Sequence, residues 1–167
     1  AFASAIAIWV LLPERTRPRE RQDKKNRLKI KDSRVWPFLI VGVLMAMGQS
    51  IVVQVSAFYF QDTLSLSVED AAQMVGVGMM AMAMSTLFAQ LVLIQRMNLS
   101  VQTMLRSGTL IMIVAFGLMI TGGNYATLVM ALVASGLGFG LLRPGLSAAA
   151  SLSVEPDEQG SIAGYIG

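Results

Sequence analysis

The chain has 167 residues, 54% of them apolar and 14% charged, with thirteen Lys and Arg against ten Asp and Glu for a formal charge of +3. A soluble domain carries about 25% charge, so this composition points to a bilayer rather than to water. There is no cysteine and no histidine, which removes disulfide frameworks, thiolate nucleophiles and the usual near-neutral proton switch, and no cofactor or metal site is expected.

Residues 1–12 (AFASAIAIWVLL) are apolar but too short to cross a bilayer, and they lack the charged start and cleavage site of a signal peptide. They are expected to be the end of a preceding transmembrane helix in a longer protein. Residues 13–35 form a basic connector, because ten of the thirteen cations fall between Arg15 and Arg34. Such a block beside apolar segments, without interleaved aromatic residues, orients a membrane protein; nucleic acid is not an expected partner.

Residues 36–167 are expected to form a partial transmembrane bundle. A helix needs roughly 20 apolar residues to span, and runs of that kind predict spans at about 37–61, 71–95, 104–121 and 125–151, with a further span starting at 159–167. Ser67 with Asp70 suits the start of the second full span, since a hydroxyl and an acid three residues later can satisfy free helix amides. Between Arg106 and Arg143 no residue is charged, and the only break is the turn-forming Thr121-Gly122-Gly123-Asn124-Tyr125. Counting spans alternately puts all thirteen cations on one side and Asp62, Glu69 and Asp70 on the other. By the positive-inside rule the first side is cytoplasmic.

Polar residues inside the spans are few. At about 100° per residue, Ser50, Gln54 and Gln61 share one face of the first full span, and Gln49 and Ser56 form a second stripe roughly opposite. One stripe suits a water-filled cavity and the other suits hydrogen bonds to a neighbouring helix, because amides facing lipid would be unsatisfied. Ala81, Ser85 and Ala89, Gly136 with Gly140, and Gly160 with Gly164 have the four-residue spacing of close helix packing. The run Gly136-Leu137-Gly138-Phe139-Gly140 lacks the spacing of a nucleotide-binding loop. Pro144 is expected to kink its helix. Arg143, about 27 Å along the helix from Tyr125, is expected to snorkel to the interface. The methionines at 45, 47, 74, 79, 80, 82 and 84 read as adaptable apolar packing rather than a copper pathway, since neither Cys nor His accompanies them.

A helix end followed by Leu12-Pro13-Glu14, a long basic connector and renewed spans resembles the central cytoplasmic loop of the major facilitator superfamily, in particular its bacterial drug and tetracycline proton-antiporter branch. GLGFGLLRPGLSAAASLSVEPDEQGSIAG (136–164) is similar to that family's tenth helix, the loop after it and the start of the eleventh. FQDTLSLSVEDAAQ (60–73) is similar to the connector between the seventh and eighth helices, whereas QRMNLSVQTMLR (95–106) departs from the usual strongly basic loop between the eighth and ninth.

The resemblance implies an all-α, polytopic membrane bundle: the C-terminal half of a twelve-helix fold, from the end of the sixth helix to the start of the eleventh. It further implies a multi-pass protein of the bacterial cytoplasmic (inner) membrane that moves small molecules by alternating access, without enzymatic chemistry. Proton-coupled efflux of drug-like compounds is the function expected. The implied partners are the lipid bilayer, a small-molecule substrate, a proton and the missing N-terminal half of the same chain. No span carries an ionisable residue near its centre, so the coupling carboxylate is expected in that missing half.

The family's seventh helix lines the transport pathway, which favours Gln54, then Ser50 and Gln61, as cavity residues. The loop holding Asp157 and Glu158 is acidic on the otherwise positive side, and it is expected to form a cytoplasmic gate by pairing with Arg96 or Arg106. An uptake permease for a sugar or organic metabolite is the alternative. A non-transporting scaffold or a membrane-embedded enzyme stands further off, the latter because no carboxylate, His or Cys cluster lies within the spans.

Overall fold

The structure, a computed structural model, describes residues 32–166. The expectations for residues 1–12 and for most of the basic connector lie outside the described residues. All regular elements among the described residues are helical: α1 (Trp36–Leu64), α2 (Val68–Met97), α3 (Val101–Thr121), α4 (Tyr125–Leu152) and the short α5 (Gln159–Ile166). The first four are long and apolar enough to cross a membrane. Helix is the form an apolar chain must take there, because every backbone amide then finds its partner within its own segment.

Polar caps set the helix ends. Ser67 accepts from the Asp70 amide at 3.1 Å and donates to the Asp70 carboxylate at 2.7 Å, which opens α2. Ser100 and Asn124 cap α3 and α4 in the same way, through the amides of Thr103 and Thr127. At the other ends, Ser65 and Asn98 close α1 and α2 in the left-handed region, with φ of 51° and 46°. That conformation turns the chain sharply, and a short polar side chain tolerates it best after glycine. Within α2, Ala89–Ile94 is wound as a π-helix; no residue in that stretch marks it in advance.

The bundle is built around α4, which packs most extensively on α3 and α2. Its Gly136-Leu137-Gly138-Phe139-Gly140 run serves two neighbours at once, because alternate residues on a helix point about 200° apart. Gly136 and Gly140 face α2: a Cβ on Gly136 would overlap the Met82 carbonyl and the Ser85 hydroxyl, and one on Gly140 would lie 2.8 Å from the Ala89 Cβ. Gly138 faces α3, where a Cβ would lie 2.6 Å from the Met112 sulfur. The close approach lets hydroxyls reach across. Ser85 Oγ lies 2.8 Å from both the Met82 and Val133 carbonyls, and Thr86 Oγ1 lies 2.9 Å from Met82 and 3.0 Å from Gly136. The Gly160 and Gly164 pair, expected to pack likewise, meets no neighbour within 4 Å among the described residues.

Helix α1 lies to one side, against α2, α4 and α5. Its buried stripe is Val52, Ser56 and Phe60, and the Ser56 hydroxyl turns back to the Val52 carbonyl. Two tyrosines pin the end of the bundle near the α1–α2 turn: Tyr59 donates to the Met119 carbonyl at 2.5 Å and Tyr125 to that of Met74 at 3.2 Å. Phe60 meets the Tyr125 ring edge-on at 6.2 Å between centroids, a favoured aromatic geometry. Met82 is buried while Met80 and Met84 are exposed, so the methionines divide between opposite faces of α2.

At the other end, Val35, Ala150, Val154 and Ile162 form a second small core that joins the start of α1 to the α4–α5 loop. The α4 helix runs unbroken through Pro144, although proline offers no amide to the Gly140 carbonyl.

Candidate functional site

A cavity of about 330 Å³ opens between α1, α4 and α5. Its α1 wall is Gly42, Met45, Ala46 and Gln49; α4 supplies Arg143, Leu146 and Ser147, and α5 supplies Ile166. The wall forms because Gly42 has no side chain where Leu146 Cδ2 approaches, 3.6 Å from the position of a Cβ. The lining mixes apolar side chains with three polar ones, Gln49, Arg143 and Ser147.

The residues singled out in the sequence fall elsewhere. Ser50 and Gln54 lie on the exposed face of α1, turned about 160° from the buried Val52–Ser56 stripe. Gln61 is half-buried near the end of α1. Gln49, from the opposite stripe, is the amide that reaches this cavity. Arg143, expected to snorkel to the interface, is exposed. It lines the cavity, and α4 continues nine residues beyond it to Leu152.

A second polar assembly sits at the end of the bundle where α1 begins. Arg34 donates through Nη1 to Glu158 Oε2 at 3.2 Å and through Nη2 to Glu158 Oε1 at 3.4 Å. It also holds Asp32, with Nη2 to Oδ2 at 2.9 Å and Nε to Oδ1 at 3.2 Å. Glu158 in turn accepts the Glu155 amide at 3.2 Å, which orders its own loop. The guanidinium thus ties the approach to α1 to the α4–α5 loop, above the Val35–Ile162 core. In this structure the partner of Glu158 is therefore Arg34, while Arg96 and Arg106 are exposed at the end of α2 and in α3. Asp157 lies beside Glu158 in the exposed loop. Nothing in the sequence distinguishes Arg34 from the nine other cations of the connector, so its role emerges only from the fold.

Hydrogen bonds from the Arg34 side chain and amide hold the Asp32 carboxyl below its ordinary value, and Asp32 and then Glu158 push the Arg34 guanidinium above its own. A depressed carboxylate contributes stability above its unfolded pKa and loses it as pH falls through the folded value, and a raised guanidinium stays charged throughout. The Asp32–Arg34 contact is accordingly intact at neutral pH and is lost only in acid. Arg34→Glu should speed proteolysis of the 155–158 loop severalfold, and adding Glu158→Arg should restore most of the resistance. Equal cleavage of the single and double variants would show that the junction does not hold the loop.

No curated protein and no solved structure matches the chain significantly. The family model described as the Major Facilitator Superfamily matches residues 1–167, the whole of the sequence. Four helices long and apolar enough to cross a membrane, three of them packed through glycine seams, with a cavity at the side of α4, fit what that match implies. The chain belongs to the major facilitator superfamily, and is thus from a multi-pass membrane protein of a family of secondary transporters.

Proposed function

We propose that the chain forms part of a proton-coupled exporter of drug-like compounds in a bacterial cytoplasmic membrane, working by alternating access. The observation that carries this reading is the cavity between α1 and α4, whose Met45, Leu146 and Ile166 offer soft apolar contact beside the polar Gln49, Arg143 and Ser147. Unbranched methionine adapts to varied apolar shapes, which suits a carrier of many cargoes. The likeness of residues 136–164 to the drug and tetracycline branch supports export over uptake, and it supports a place for the chain in the C-terminal half of a twelve-helix carrier. The segregation of all thirteen cations to one side supports a cytoplasmic Arg34 junction.

In this reading the exposed Ser50 and Gln54 face of α1, with Gln61 near its end, meets the transport pathway from the other half. Arg96 and Arg106 close the cytoplasmic side by drawing on Asp157 and Glu158, so Arg34 competes with them for the Glu158 carboxylate. A surface ion pair is worth only about 0–1 kcal/mol, small enough to bias two states without locking either.

The test is transport by the full-length carrier in sealed vesicles with an imposed proton gradient. A lipophilic dye should move against its gradient while protons move the opposite way, and a protonophore should abolish the movement. Gradient-driven flux of a sugar with no dye movement would overturn the assignment in favour of uptake.

A further inference from the structure

The geometry points to an oxyanion-binding site at Arg143, so that the molecule held in the α1–α4 cavity carries a carboxylate or phosphate group on an apolar body. This rests on the transporter reading above and narrows it, since cargo class is what that reading leaves open. Three observations converge. First, Arg143 is exposed and lines the cavity, whose α1 wall extends to Gln49, thirteen residues into α1. Second, no carboxylate among the described residues is paired with it, whereas Arg34 takes both Asp32 and Glu158. A guanidinium that lines a cavity of a membrane-protein bundle, with no carboxylate paired to it among the described residues, is free to take an anion from outside the bundle. Third, Arg143 is not the only donor of the cavity. The Gln49 amide and the Ser147 hydroxyl share the cavity with the guanidinium, and Met45 and Leu146 supply the apolar wall.

A guanidinium presents a planar fork that fits a two-oxygen anion, and it is more weakly hydrated than an ammonium, so it gives up water to such a partner more readily. A cation would meet repulsion there. A neutral amide would leave the fork short of acceptors. The site accordingly selects an anionic amphipath over its neutral or cationic analogues, and a cavity of about 330 Å³ is at the small end of the range for ligand pockets.

The experiment reads occupancy rather than transport. Ala46 lines the same cavity and is exposed, so Ala46→Cys in the full-length carrier, made otherwise free of cysteine, reports on access through its alkylation rate in phosphatidylcholine vesicles. Phenylbutyrate should slow alkylation severalfold, while phenylbutyramide and phenylbutylamine at equal concentration should not. Arg143→Gln should abolish the protection. Arg143→Lys, which keeps the charge and loses the fork, should weaken it, and this variant decides the matter should Arg143→Gln fail to accumulate.

Replacing part of the phosphatidylcholine by phosphatidylglycerol separates the two sources of the oxyanion. If the anionic lipid alone gives Arg143-dependent protection, the group bound is a lipid headgroup; if only phenylbutyrate does, it is a soluble cargo. Equal protection by all three probes, or full protection retained in both Arg143 variants, would overturn the site. Dye export without carboxylate protection would overturn this inference and leave the exporter reading standing, and protection without dye export would do the reverse.

Discussion

Gly136→Leu should prevent accumulation of the folded protein in the membrane, while Gly117→Ala should leave accumulation unchanged. The contrast lies in what each new Cβ meets. At Gly136 it would collide with the Met82 carbonyl and the Ser85 hydroxyl, both fixed parts of α2, whereas at Gly117 nothing lies within 4 Å. A backbone carbonyl cannot rotate aside as the tip of a side chain can, so α2 and α4 would have to separate. Overpacking of a tight core costs about 1–3 kcal/mol even where neighbours can shift, and here separation also breaks the Ser85 and Thr86 bonds to Val133 and Gly136. Interhelical hydrogen bonds in membranes average only about 0.6 kcal/mol each. The larger loss is van der Waals contact along the seam, because lipid offers no hydrophobic force to hold helices together. Gly136→Ala should be intermediate. The measurement is the yield of monodisperse protein after detergent extraction and its thermal midpoint; equal yield and midpoint for Gly136→Leu and Gly117→Ala would show that this seam does not hold the bundle.

That seam was legible in the sequence because small residues repeating every fourth position have one physical use in a bilayer, and Ser85, Ala89, Gly136 and Gly140 do meet. The all-helical class was equally legible, since long uncharged runs leave no other way to satisfy the backbone. Ser67 with Asp70 showed where α2 starts, because a cap is a local interaction. What the sequence could not supply was the rotation of α1. The helix is apolar nearly all round, so its two polar stripes carry equal weight until a neighbour is placed, and Gln49 rather than Gln54 then reaches the α1–α4 cavity. The pairing of Arg34 with Glu158 spans most of the described chain, and no periodicity encodes a contact of that separation.

Gln54→Leu should lower transport by the full-length carrier by a factor of roughly 2 to 13, the range set by losing one hydrogen bond of about 0.5–1.5 kcal/mol to cargo or to the facing half. It should leave yield and thermal midpoint unchanged. The structure makes this a clean test, because Gln54 is exposed on α1 and its side chain takes part in none of the hydrogen bonds that hold the described bundle. Little folding energy is therefore at stake. An amide turned to lipid would be left unsatisfied, so removing it there should raise stability and leave transport untouched. Ser50→Ala, on the same face one turn away, should act in the same direction with a smaller effect, since a hydroxyl offers fewer bonds than an amide. Gln49→Leu differs in kind: its amide lines the cavity beside Arg143, so the loss should depend on the cargo and be greatest for anionic compounds. Unchanged flux together with a raised midpoint in Gln54→Leu would show that this face of α1 meets lipid, and it would leave the Gln49 face as the one that meets cargo.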